Sequence, residues 1–267
     1  AIIPVHLLGQ PAQMDKIMRL AKRFNLKVIE DSCETMFVGY KGKSVGSWGE
    51  IGCFSSYMAH IISTGVGGFA VTNDKKLAET MRSLIWHGRD NLYLSIDANK
   101  KVKPEKLIHA RFKFNHIGYS YRLTEMEAAL GLDELKRAKQ IVKKRKQIAN
   151  YMTKKLSRFN NYIVLPIVHE KSDNSWMFYP LFVRPEYDID DLALYLEKKG
   201  IQTRWIMPLT NQPCYEGLFK ERDYPFAQAV NKQGLLIGCH HFLNKEDVDY
   251  VYKCFDEFYG RFIIDLT

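Results

Sequence analysis

Cysteine is sparse in this chain and never clustered. The five (Cys33, Cys53, Cys214, Cys239 and Cys254) are odd in number, and no two lie closer than 15 residues. That spacing argues against a disulfide framework and a CxxC metal site, and makes a reduced, cytoplasmic compartment the economical reading. No apolar run approaches the ~18 residues of a membrane span, so no transmembrane helix is expected. No charged-then-apolar leader opens the chain, so nothing argues for secretion. Internal repeats and low-complexity stretches are also missing. What remains, 267 residues with 46% hydrophobic and 26% charged, is an ordinary globular composition with room for one large domain or two modest ones.

The net charge of +9 permits an anionic partner. Part of it is concentrated between Lys136 and Lys146, a run that on a helix reads as a solvated face. Nucleic-acid binding would call for aromatic interleaving or a recognised module, and neither is present. A phosphate-bearing small substrate explains a moderately basic chain equally well.

Ala1–Gly9 reads as a buried strand entering a loop, without an initiator methionine. Apolar residues at Met14, Ile17, Met18, Leu20 and Ala21 have helical spacing and predict a helix over about 11–25. With the strand 27–30 this makes a β-α-β crossover, in which parallel strands are expected. Strands follow at 51–55 and 69–72, then a helix at 75–84 opened by an Asn73-Asp74 cap. Residues 91–106 are polar and read as an irregular loop. A long helix is expected over 124–156, with Thr124 and Glu127 in capping-box spacing. Beyond Asn161 the pattern becomes α+β: strands at 162–165, 177–183 and 202–206, helices at 189–199 and 245–258. The boundary falls near 158–162, dividing the chain into a domain over 1–158 and a smaller one over 159–267.

Candidate chemistry gathers in the first part. Asp31 ends an apolar strand, and an acid at the carboxyl end of a parallel strand faces the crevice where open α/β sheets bind ligands. A helix-cap or turn aspartate is the plain alternative. Ser55 offers a hydroxyl donor, and Gly65, Gly67 and Gly68 permit tight backbone passage. His60 lies between them. It is either a hydrogen-bonded interior histidine or, with a reference pKa near 6.5, a general base. Arg204 is a candidate phosphate contact or a surface arginine. The adjacent pair His240-His241 points to opposite sides of any strand, so no metal is assigned.

Five segments together carry a family likeness: Val28–Asp31, Gly52–Asp74, His87–Asp90, Phe114–Leu132 and Pro208–Pro213. The chain resembles the DegT/DnrJ/StrS family of sugar aminotransferases, fold-type I enzymes dependent on pyridoxal phosphate (PLP). The resemblance implies an α/β fold with a mostly parallel sheet flanked by helices, a smaller α+β C-terminal domain, and a homodimer that shares its active site. It implies that Asp31 pairs with the pyridine nitrogen and Ser55 with the cofactor phosphate. Glu34 stands where relatives place Gln or His beside the cofactor. In the HIGYSYR block, Tyr119 and Arg122 fall on the substrate side, and Ser120 replaces an asparagine that contacts phosphate. Thr210 stands where His is common. Relatives also carry an earlier segment, with a phosphate cup and a stacking aromatic, that this sequence does not contain.

At the position of the Schiff-base lysine the chain has His60. A subgroup with this exchange, the PLP-dependent 3-dehydrases of 4-keto-6-deoxy sugar nucleotides, removes a hydroxyl instead of transferring an amine. The resemblance therefore implies C3 deoxygenation of a nucleotide-linked 4-keto-6-deoxyhexose. L-glutamate would be the amino donor, PLP or pyridoxamine phosphate (PMP) the non-covalent cofactor, and His60 the base. No cysteine occurs between 53 and 214, which disfavours an iron–sulfur variant. Two alternatives stay open: an aminotransferase that recruits another lysine, and a non-catalytic sugar-nucleotide-binding relative.

Overall fold

The computed structural model describes residues 1–89, 103–110, 112–206 and 208–264. It contains two compact units, one of residues 1–6, 12–33 and 43–137, the other of 7–11, 34–42 and 138–267.

In the first unit, helix α1 (Met14–Arg23) leads into strand β1 (Ile29–Asp31). The opening residues run parallel to β1 through the bridges Ile2–Val28 and Val5–Asp31, as the β-α-β expectation requires. That segment is not the buried strand expected from its apolar sequence: Pro4 and His6 are buried while Ile3 and Val5 are exposed. Alternation along extended backbone puts only one set of its side chains inside. Strand β2 (Ile51–Ser55) pairs parallel with β1, Asp31 opposite Cys53, and strand β3 (Gly68–Val71) pairs antiparallel with β2. Helix α2 (Lys75–Ile85) begins at Asp74, whose Oδ1 accepts the Lys76 and Leu77 N–H groups at 2.8 and 3.0 Å. This is the capping expected from the sequence. Helix α3 (Pro104–Ala110) begins within the end of the 91–106 stretch expected to be an irregular loop; residues 91–102 of that stretch lie outside the described ones.

Helix α4 (Glu125–Leu156) opens with the capping box read from the sequence: Glu127 Oε2 accepts the Thr124 N–H at 2.8 Å and its hydroxyl, and Thr124 Oγ1 accepts the Met126 N–H.

The second unit is built on an antiparallel sheet in the order β4 (Ile163–Val164), β5 (Tyr179–Val183), β7 (Gly234–Ile237), β6 (Thr203–Trp205). Along β5, Tyr179, Leu181 and Val183 point inward onto the end of α4, helix α5 (Ile189–Lys198) and helix α7 (Lys245–Ile264). Fully buried Leu181, Leu192, Leu196 and Phe255 each contribute about 1.5–3 kcal/mol by leaving water. Helix α6 (Pro225–Gln233) runs directly into β7. No helix among the described residues is long and apolar enough to cross a membrane.

Candidate active site

Asp31 ends β1, half-buried, with Oδ1 accepting the Cys33 N–H at 3.1 Å. Among the described residues no side-chain cation pairs with it. Ser55 ends β2, the parallel neighbour, so the acid and the hydroxyl both stand at the carboxyl edge of the parallel pair. Ser55 Oγ accepts the Tyr57 N–H at 3.2 Å, which leaves the hydroxyl proton for donation elsewhere.

Between β2 and β3 the chain makes a closed loop whose shape is set by its own polar groups. Ser56 donates its N–H to Gly67 O at 3.0 Å, and its carbonyl accepts the Thr64 N–H at 2.8 Å. The two buried hydroxyls, Ser56 Oγ and Thr64 Oγ1, lie 2.6 Å apart, and Thr64 donates on to Val66 O at 2.6 Å. Ile61 and Ile62 anchor the loop from inside. Gly67, at φ +127°, has Leu123 where a Cβ would stand. His60 is held at this loop by its N–H to Tyr57 O at 2.9 Å and by the edge of the Tyr57 ring, 6.4 Å between centroids. Its Nδ1 is buried and has no hydrogen-bond partner among the described residues. At Nδ1, therefore, no neighbour among the described residues fixes the tautomer.

The His87–Arg89 and Asn115–Arg122 segments lace together. His87 N–H donates to Tyr119 O at 2.8 Å, Tyr119 N–H to Leu84 O at 2.7 Å, and Asn115 N–H to Gly88 O at 2.8 Å. Asp90, the last residue of the HGRD element, lies outside the described residues. Tyr119 and Tyr121 stack at 5.0 Å with their planes 1° apart. The Arg122 guanidinium sits 4.7 Å from the Trp86 ring centroid and donates to Ser120 Oγ at 3.1 Å. Ser120, Tyr119 and Arg122 are all exposed.

Glu34 and Arg204 belong to the second unit. Glu34 Oε2 accepts the Leu8 N–H at 2.7 Å and so pins the turn at Leu7–Gly9. Arg204, exposed on β6, lies over Phe178 at 5.5 Å. Arg204 lines a cleft of about 500 Å³ together with Gln202, His240 and Asp247; Glu34 does not. Burial and the Arg145 charge push His240 down from its ordinary value, and Asp247 works in the opposite direction.

Three features escaped the reading of the sequence. Arg145, inside the basic run expected to be solvated, is 4% exposed and donates through Nη1 to the carbonyls of Trp176, Met177 and Cys239 at 2.8, 3.2 and 2.7 Å. Its place on the stripe Ala138, Ile141, Val142, Ile148, Ala149 and Met152 is the signal that could have found it. The Ser56–Thr64 pair had no sequence signature. Glu30 and His6, both fully buried, pair at 3.0 Å.

The profile of the DegT/DnrJ/EryC1/StrS aminotransferase family matches residues 1–256, and the chain belongs to that family. It is 31% identical over 97% of its length to the lipopolysaccharide biosynthesis protein RfbH of Salmonella typhimurium, covering 63% of that protein. It is 33% identical over 96% of its length to the GDP-perosamine synthase of Caulobacter vibrioides, covering 65%. Among solved structures it superposes on an E. coli GDP-4-keto-6-deoxy-D-mannose-3-dehydratase with bound hydrated PLP at a TM-score of 0.82, with 25% identity, covering 95% of this chain and 66% of that one. The chain thus spans less than two thirds of the length of the first curated relatives it matches.

Proposed function

We propose that this chain forms part of a PLP/PMP-dependent 3-dehydrase that removes the C3 hydroxyl of a nucleotide-linked 4-keto-6-deoxyhexose, with L-glutamate as amino donor. His60 is the observation that carries this reading. It stands five residues beyond Ser55 in the loop closed by Gly67, and an imidazole cannot form a stable imine. Imidazole is also the side chain most often used as a general base.

The residues present fit the cofactor. The Asp31 carboxylate, without a cation among the described residues, fits a protonated pyridine nitrogen. The Ser55 hydroxyl proton fits a phosphate oxygen. When bound, the pyridinium ring supplies an electron sink. Glu34 and Ser120 are proposed as further cofactor neighbours. Arg204, Arg122 and Tyr119 are proposed for the substrate, the arginines for its phosphates. With no covalent lysine, retention of the cofactor rests on non-covalent contacts such as these.

A homodimer is part of the proposal. Ile117 is 97% exposed, and Phe112, Tyr121, Met126 and Leu132 are also solvent-facing in the same unit, an apolar surface of the kind that a second copy covers. Amine transfer is the second reading, favoured by the 33% identity to a GDP-perosamine synthase. It requires a lysine that reaches the cofactor. Borohydride reduction in the presence of PLP separates the two: no covalent PLP–lysine adduct is expected, and an adduct on any lysine would overturn the dehydrase reading.

A further inference from the structure

We propose that Glu30 and His6 are a positioning pair that fixes the Asp31 carboxylate for the cofactor. This inference rests on the assignment of Asp31 to the pyridine nitrogen. Glu30 and Asp31 are consecutive on β1, so their side chains leave opposite faces of the strand. Asp31 is half-buried, whereas Glu30 is fully enclosed.

Four donors surround the Glu30 carboxylate. Oε1 accepts the N–H groups of Trp48 and Gly49 at 2.6 and 2.8 Å. Oε2 accepts the Gly46 N–H at 2.8 Å and pairs with His6 Nε2 at 3.0 Å. His6 Nδ1 accepts the Ala12 N–H at 2.9 Å, and a backbone N–H can only donate. The ring proton is therefore on Nε2, directed at Glu30, and the pair is a carboxylate with a neutral imidazole. The approach of the 46–49 turn depends on glycine: a Cβ on Gly49 would stand 2.4 Å from Val28 O, and one on Gly52 would stand 2.3 Å from Gly46 O.

The same network grips the peptide of Asp31 on both sides. Asp31 N–H donates to Pro4 O, and His6 N–H donates to Asp31 O, each at 2.9 Å. A shift of His6 or Glu30 is thus carried directly into the backbone that aims Asp31. A buried ionised carboxylate is a costly way to obtain stability alone, because apolar replacements of similar volume are often neutral or better. Four convergent donors tied to the residue next to a cofactor acid point instead to orientation.

The test uses Glu30→Gln, His6→Gln and Asp31→Asn in the full-length protein with added PLP. His6→Gln keeps the three backbone bonds to Glu30 and guards against a Glu30 variant that does not fold. Three quantities are measured: amide exchange at Ala12, Gly46, Trp48 and Gly49, PLP affinity, and the ¹⁵N resonance of the pyridine nitrogen in labelled PLP. Asp31→Asn is expected to lose the protonated-pyridine resonance. The Glu30 and His6 variants are expected to exchange faster at those amides, to bind PLP about 10-fold more weakly, and to move the resonance toward the unprotonated position. Native affinity and resonance in folded Glu30→Gln and His6→Gln, with only thermal stability reduced, would overturn the positioning role and leave Asp31's role standing. An unchanged resonance in Asp31→Asn would overturn both.

Discussion

Gly88 and Gly118 lie back to back, so close that a Cβ on Gly118 would stand 2.2 Å from the Gly88 nitrogen and one on Gly88 would stand 1.8 Å from His116 O. Gly88 also sits at φ +82°, a conformation other residues rarely adopt. This contact lets the segment carrying Tyr119, Ser120 and Arg122 lace onto the end of α2. Backbone obstructs the added atom, so no side-chain rotation relieves it. Gly118→Ala is expected to cost at least about 2 kcal/mol and to lower the melting temperature by roughly 5 °C. Differential scanning calorimetry checks this, and an unchanged melting temperature would show that the two segments can separate freely.

Among the described residues the Arg145 guanidinium meets three carbonyls and no carboxylate, and burial pushes its pKa down. Arg145→Met leaves those carbonyls short of a donor and is expected to cost about 2–4 kcal/mol. It also removes a charge that lowers His240, so the His240 titration should move up, while Asp247→Asn should move it further down. Denaturant unfolding and NMR titration of His240 read the two effects separately.

For Glu30, burial works to raise the carboxyl pKa, but the bonds from His6, Gly49, Gly46 and Trp48 outweigh it and hold the group below the usual carboxylate range. The unfolded chain therefore takes up this proton first as the pH falls. The stabilisation is complete above the ordinary carboxylate value and drains as the pH drops through the folded one. Urea unfolding of Glu30→Gln should accordingly depend less on pH than that of the parent protein from about pH 5 downward. Parallel pH profiles would remove Glu30 from the account of acid stability.

The cysteines should separate by reactivity. Cys214 is exposed, whereas burial pushes the Cys239 thiol up to about 12, with the Arg145 charge opposing it only in part. Iodoacetamide labelling of the native protein is expected to modify Cys214 first and to leave Cys239 untouched until unfolding. Early modification of Cys239 would mean that its environment opens readily.

How legible these features were in the sequence depended on whether their signal was local. The Asp74 cap and the Thr124–Glu127 box rest on bonds spanning two or three residues, and both stand as expected. Strand 51–55 matches its expected bounds. Strand Gly234–Ile237 escaped notice because it is buried on both faces, so GLLI shows no alternation, and the helix before it begins without a side-chain cap. The Glu30–His6 pair spans 24 residues and Arg145 reaches a carbonyl 94 residues away. Such partners become visible only once the chain is folded. At the candidate site, the succession Asp31, Ser55, His60 could be read from motif spacing. The Ser56–Thr64 clamp that shapes the loop around His60 could not.

The central claim is that His60 directs the chemistry to deoxygenation. Its most direct test is mass spectrometry of a panel of nucleotide-linked 4-keto-6-deoxyhexoses incubated with the full-length protein, PLP and L-glutamate. The account expects a product lacking one oxygen, with ammonia released, and loss of that product in His60→Asn. A product in which the ketone has become an amine would contradict it.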